Sequence, residues 1–389
     1  MSAEIKPISQ SSTISSGTTP GIGDNWSRVA ARGKGAAIIW RSGPEPELSK
    51  IGFRLCDDQG APAGDIAFLT DTGNFGFPVL ARLSDGRLAA AWSAADKIQA
   101  CIILENGEVN VDTFTLPIPE GTAAYPGVAA GANGDIVFCW LQRLESESSV
   151  YACRYSATTG QCSDATRVAE NVVSGSRPQI DSFTDGTAVL AWEQPGDDGN
   201  EIQLRIISSS QSLDKGTAIT PSGNGCYAPN IACLSDQNLA VSWCSNRHTE
   251  GTDWWDTFTI SAAKYDKNGK VVGSTIATDS GNTAVYDGAS ITDVGNGAYM
   301  LTWTAEIAPP ETRTGMTVAL VSSDNSFAIL QQVLVKGHAI LPRGTMLKPD
   351  AVILTWSQGI GGRTGQVRAQ GFTVSLTDAG KTETLAMAD

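Results

Sequence analysis

A short apolar run ending in tryptophan recurs along the whole chain. It reads "AAIIW" up to Trp40, "LAAAW" up to Trp92, "IVFCW" up to Trp140, "AVLAW" up to Trp192, "LAVSW" up to Trp243, "YMLTW" up to Trp303 and "VILTW" up to Trp356. Each run is too short for a helix and is bounded by turn residues, so it predicts a very apolar β-strand. A variable loop follows, and then a segment of alternating character such as "EIQLRIIS" or "SVYACRYSA", the period-two pattern of a strand with one apolar face. No long stretch carries the 3.6-residue periodicity of an amphipathic helix. The chain reads as all-β.

The runs are evenly spaced, with successive tryptophans 48 to 60 residues apart. Pro78, Pro126, Pro178, Pro229 and Pro342 each stand fourteen residues before their tryptophan, and Trp26 and Ala289 occupy that place in the other two units. Between proline and tryptophan come Asp85-Gly86, Asn133-Gly134, Asp185-Gly186 and Asn296-Gly297, dipeptides that tolerate the positive φ angles of a tight type I′ hairpin. Gly33-Lys34, Asp236-Gln237 and Pro349-Asp350 replace them in units one, five and seven. A second turn, "DDQG", "ENG", "TTG", "DKNG" or "TDAG", often precedes a fourth strand. Four antiparallel strands per unit, repeated seven times, predict a seven-bladed β-propeller over residues 1–389 as one domain. The repeat tryptophans are expected to pack between blades. The last unit supplies a third strand at "GQVRAQGFTVS" and a candidate fourth at "TETLAMA", but residues 4–16 are expected to contribute a closing or outer strand to that blade.

The recurring Gly-His and Trp-Asp signatures of WD40 repeats, the double glycines of kelch repeats and the S-x-D-x-G-x-x-W box of sialidases are missing. The units resemble the P-x-V-A-x-L-x-D-G-x-x-x-V-x-W propeller repeat of large bacterial surface and haemolysin-type calcium-binding proteins. That resemblance implies a scaffold and names no chemistry. The glycine-aspartate nonapeptides that bind calcium in such proteins are absent here.

A net charge of −14 without any basic block argues against nucleic acid as a partner. No apolar run approaches the roughly 18 residues of a membrane span, and the N-terminus lacks the charged-then-apolar order of a signal peptide. A soluble protein is expected, extracellular or on a particle surface as the alternatives of location. The eight cysteines contain no C-x-x-C pair, so neither a metal centre nor a cofactor is expected, and most should be free thiols. Cys153 and Cys162, flanking the turn "SATTG", are the one pair placed to face each other.

Chemistry is expected on the face where the loops before each first strand and after each second strand open together. Phe75, Phe77, Tyr125, Arg177, Tyr227, Tyr286, Asp287, His338 and Arg343 should ring the mouth of the central channel, with Arg41, Arg143, Glu193, Glu306, Arg313 and Arg363 on the same side. The loop "CSNRHTEGTDWWDTF" makes unit five the longest and gathers Arg247, His248, Asp253, Trp254 and Trp255. Two adjacent tryptophans cannot both point into a blade, and exposed indoles beside carboxylates suit sugar rings. The ligand-binding set is therefore Trp254, Trp255, His248, Arg247 and Asp253, with Tyr227, Tyr286 and His338 beside them. No catalytic elbow, phosphate loop or H-E-x-x-H motif is present, and no catalytic residue is assigned. The expectation is a lectin-like module recognising surface carbohydrate, or a protein partner in a larger complex. A structural or attachment subunit of a virion or other assembly, and a polysaccharide lyase or hydrolase using His338 or Tyr286 as base, are the alternatives.

Overall fold

The runs before the tryptophans are apolar at every position because the strands they form are buried on both faces. The computed structural model describes residues 2–15, 24–221, 225–246, 258–279, 288–306, 314–333, 338–360 and 363–377. In the third unit the run lies in the strand Ile136–Leu144. Ile136, Phe138 and Trp140 pack with Ala89, Ala91 and Ala100 of the unit before, whereas Val137, Cys139 and Leu141 pack with Ala188, Leu190 and Trp192 of the unit after. Alternation of side chains across a strand thus sends neighbouring residues into two different cores. None of the seven repeat tryptophans is more than 5% exposed, so each fills the wedge between two sheets. Opposite Trp40 stands Gly52, where an added Cβ would come within 2.4 Å of the indole.

Seven small antiparallel sheets form the ring of a seven-bladed β-propeller, and the described residues contain no α-helix. The fourth blade shows the plan: Gln179–Ser182 innermost, then Ala188–Gly196, Gly199–Ile207 and Thr217–Ile219, each hydrogen-bonded to the next. The innermost strands of the other blades are Asn25–Arg32, Phe75–Arg82, Thr122–Ala130, Cys226–Cys233, Ser290–Gly295 and His338–Lys348. In the last blade the third strand, Arg363–Thr377, pairs directly with Ser2–Pro7, in register from Ser2 opposite Thr377 to Pro7 opposite Phe372. Ser12–Thr13 pairs with the same strand farther along. The segment "TETLAMA" lies outside the described residues. First and last blades also touch, the Ala31 N–H donating to Thr345 Oγ1 at 3.1 Å.

The turns divide by residue type. Asn133-Gly134 and Asn296-Gly297 have positive φ at both positions, as a type I′ turn requires. At Asp85-Gly86 and Asp185-Gly186 only the glycine is left-handed, so the type I′ expectation is corrected there. Gly86 N–H donates to Leu83 O and the Asp85 carboxylate accepts the Arg87 N–H; Gly186 and Asp185 repeat the pattern with Phe183 and Thr187. The aspartate stabilises a right-handed turn through its own side chain, and the glycine alone makes the reversal. All eight cysteines are free thiols; those of Cys153 and Cys162 are hydrogen-bonded to each other.

Candidate functional site

A backbone irregularity repeated around the ring builds the channel mouth. Five of the seven innermost strands, all but those of the fourth and sixth blades, are interrupted by a bulge near their start. At it stand Trp26, Phe77, Tyr125, Ala228 and Leu341, every one at positive φ; Gly288, also at positive φ, and Arg177 hold the corresponding places just before the inner strands of the sixth and fourth blades. Non-glycine residues avoid this conformation, at about 1–2 kcal/mol each, and bulges re-aim side chains. Here the bulge turns the first three aromatics toward the channel. Trp26 meets Phe77 edge-on at 4.8 Å between ring centres, and Phe77 meets Tyr125 at 4.5 Å. The Arg177 guanidinium lies against all three, 4.6 Å from the Trp26 ring, 5.5 Å from Phe77 and 5.4 Å from Tyr125.

Two residues farther along each strand a second ring lines the channel: Arg28, Val79, Gly127, Gln179, Asn230, Ser290 and Arg343, each opposite the residue before its blade's tryptophan. Together the two rings enclose a cavity of about 380 Å³. Three arginines line it, Arg28, Arg177 and Arg343, and among the described residues a single carboxylate, Glu193. Burial, then repulsion from Arg343 and Arg177, pulls the Arg28 guanidinium well below its ordinary value, and burial with Arg177 pulls Arg343 down to about 10. At neutral pH all three remain cations. Glu193 accepts the Ala228 N–H at 3.1 Å; burial raises its pKa while that bond and Arg177 oppose the rise. Burial also holds the Tyr227 hydroxyl well above its ordinary value, so Tyr227 enters the cavity as a neutral phenol.

The opposite end of the channel carries two carboxylates and Arg82. Asp181 and Asp293 line it, the first accepting the Cys233 N–H at 2.8 Å and the second the Ser235 N–H at 3.1 Å, so each carboxylate ties its blade to the fifth. Burial is the main cause that raises both, Asp181 to about 6.

Of the residues expected at the site, Tyr227 lines the mouth cavity. His338 begins the innermost strand of the last blade, opposite Gly359. Arg247, His248, Asp253, Trp254, Trp255 and Tyr286 lie outside the described residues. The strands that carry the long loop, Asn238–Asn246 and Phe258–Asp266, meet at Asn246 and Phe258, at the end of the blade where Tyr227 stands. Phe77, Tyr125, Arg177, Glu193 and Arg343 reach the cavity, but Phe75 does not. Two residues before Phe77, Phe75 packs instead against the core between the first two blades, beside Leu55 and Leu69.

Arg28 escaped sequence reasoning because the first unit was aligned by a constant offset from its tryptophan. Its hairpin closes at Arg32 opposite Gly35, one residue tighter than in the second unit. Trp26 therefore matches Phe77 and Tyr125 rather than the prolines, and Arg28 matches Arg343. The missing Asp-Gly at Gly33-Lys34 was the available signal.

Among the described residues no helix is long and apolar enough to cross a membrane, and no group of three or more His, Cys, Asp or Glu gathers as a metal site. No protein-family profile and no curated protein sequence matches the chain. Solved structures do. A protein of unknown function from Dyadobacter fermentans aligns over 95% of this chain and 99% of its own at TM-score 0.57 and 11% identity. The polysaccharide lyase Uly1 aligns over 87% and 88% at 0.54 and 9% identity. An α-L-arabinanase from Penicillium chrysogenum, complexed with arabinobiose, aligns over 76% and 92% at 0.50 and 11% identity. At such identities the likeness is one of fold.

Proposed function

We propose that this propeller is a lectin-like module that binds carbohydrate at the channel mouth. The observation that carries the reading is the arc of Trp26, Phe77 and Tyr125 around Arg177, opening on a cavity the size of a small sugar ligand. Sugar rings present C–H faces that stack on aromatic rings and hydroxyls that bond to arginine, glutamate and amide groups. Glu193, Gln179 and Asn230 stand at the same cavity to accept and donate such bonds. Trp254, Trp255, His248, Arg247, Asp253, Tyr286 and His338 are proposed ligand contacts on sequence grounds alone. Carbohydrate-acting enzymes among the structures of like fold are in keeping with a carbohydrate ligand.

A glycan array followed by titration calorimetry tests the reading: a saturable ligand whose affinity falls in Trp26→Ala is the expected result, and an array without any binder refutes it. One observation favours a second, catalytic reading. Glu193, its pKa raised by burial beside Arg177, is the kind of carboxyl that can give up a proton to a leaving group. Release of reducing ends from a bound polysaccharide, lost in Glu193→Gln, would establish it in place of the first.

A further inference from the structure

The inner ring points to the chemical class of the ligand. Its position makes no demand for a cation, since five blades fill it with Val79, Gly127, Gln179, Asn230 and Ser290. Only the first and last blades, neighbours across the ring closure, place arginine there, and Arg177 descends from the rim to the same cavity. Holding three guanidiniums in one partly closed space is unfavourable to folding through desolvation and mutual repulsion. The lowered pKa values of Arg28 and Arg343 are the trace of that cost. Arg28 and Arg343 each donate to a backbone carbonyl, of Ser27 and of Pro342, but five blades pack with an uncharged residue in the same place, so blade packing does not require this concentration of positive charge.

Resting on the carbohydrate reading above, we propose that the ligand is an acidic sugar of the uronate type, whose ring lies on the Trp26–Phe77–Tyr125 arc while its carboxylate reaches down to Arg28 and Arg343. The vertical order of the two rings supports this arrangement. Aromatic groups lie at the rim and the guanidiniums of Arg28 and Arg343 one step inward, so an apolar ring face and a carboxylate on one sugar meet complementary surfaces together. The planar guanidinium fork matches a carboxylate in two hydrogen bonds, and such charge-assisted bonds are roughly twice as strong as neutral ones. Glu193, the one carboxylate of the described lining, would repel an anion seated beside it and so favours a seat nearer Arg28 and Arg343.

The test uses the full chain and oligosaccharides of galacturonate, glucuronate and mannuronate, each as the free acid and as its methyl ester, beside neutral oligosaccharides on the same array. The expected result is that one acid binds at least about tenfold more tightly than its ester, that added salt narrows the difference, and that Arg343→Gln or Arg28→Gln abolishes it. Should those buried substitutions prevent folding, Arg177→Gln and the acid-against-ester ratio of the unaltered protein decide. Equal binding of acid and ester, or binding of neutral glycans alone, overturns the uronate assignment and leaves carbohydrate recognition standing. Failure of every glycan to bind overturns both.

Discussion

Trp140, in the third blade, and Trp26, in the first, belong to the same ring, yet their surroundings differ in every respect that matters for function. Trp140 is fully buried between blades, its indole N–H donating to Gln142 Oε1 at 3.0 Å, and six other blades repeat its position. Trp26 sits at the mouth on a left-handed bulge, and only Phe77 and Tyr125 answer it around the ring, the remaining places holding Arg177, Ala228, Gly288 and Leu341. The backbone device is shared while the side chains are not. Where every blade needs the same wedge filled, the residue repeats; where one half of the mouth differs from the other, the difference serves what comes into the channel.

The contrast can be broken most directly at the wedge. Trp140→Ala should lose about 3–5 kcal/mol of stability in denaturant melts, whereas Trp26→Ala should lose about 1 kcal/mol or less. Equal losses would mean that the mouth aromatics are core and not ligand surface. Next in size, the double substitution Trp254→Ala with Trp255→Ala should weaken glycan binding by on the order of 2 kcal/mol or more while the melting temperature holds. Unchanged calorimetric affinity would confine the site to the Trp26–Arg177 side.

The plain half of the mouth offers a conformational test. Gly288 has φ +67, and an added Cβ would stand 2.4 Å from the Ala228 carbonyl oxygen. Gly288→Ala should therefore destabilise by roughly 1–3 kcal/mol even though alanine and leucine occupy the matching places of adjacent blades; a neutral effect in thermal melts would show that the backbone there relaxes freely. A pH-dependent effect is expected at the opposite end of the channel. Asp181 is raised by burial to about 6, above its unfolded value, so its contribution to stability is full below the ordinary carboxylate range and is lost as pH rises through about 6. A shift of that size corresponds to a loss of about 3 kcal/mol, and Asp181→Asn should flatten that part of the stability–pH curve. A stability–pH curve that Asp181→Asn leaves unchanged between about pH 4 and 6 would contradict the assignment.

How much of this could be read beforehand depends on whether the information is local. Blade number was legible because each second strand must be apolar on both faces, and that requirement is printed as a run before Trp40 through Trp356. Most of the mouth was legible too: Phe77, Tyr125 and Arg177 each stand fifteen residues before their tryptophan, and Arg343 thirteen before Trp356. Arg28 was not, since a one-residue shortening of a hairpin moves every residue before it by one step and so to the other face of the strand. Phe75 was misread for a related reason, its side chain falling on the core face of a strand whose end had been taken for loop.

By itself the sequence determined the repeat, the all-β class and the tryptophan wedge, because burial pattern and turn chemistry act over a few residues. Tertiary structure decided which cations meet. Arg28 and Arg343 are far apart in the chain and become neighbours only when the ring closes, with Ser2–Pro7 taking the edge of Arg363–Thr377. Strand pairing at that edge offered two candidate segments of similar character, and local pattern cannot choose between them. The choice rests on the geometry of closure, which brings the first blade against the last and puts two guanidiniums, one from each, into a single channel.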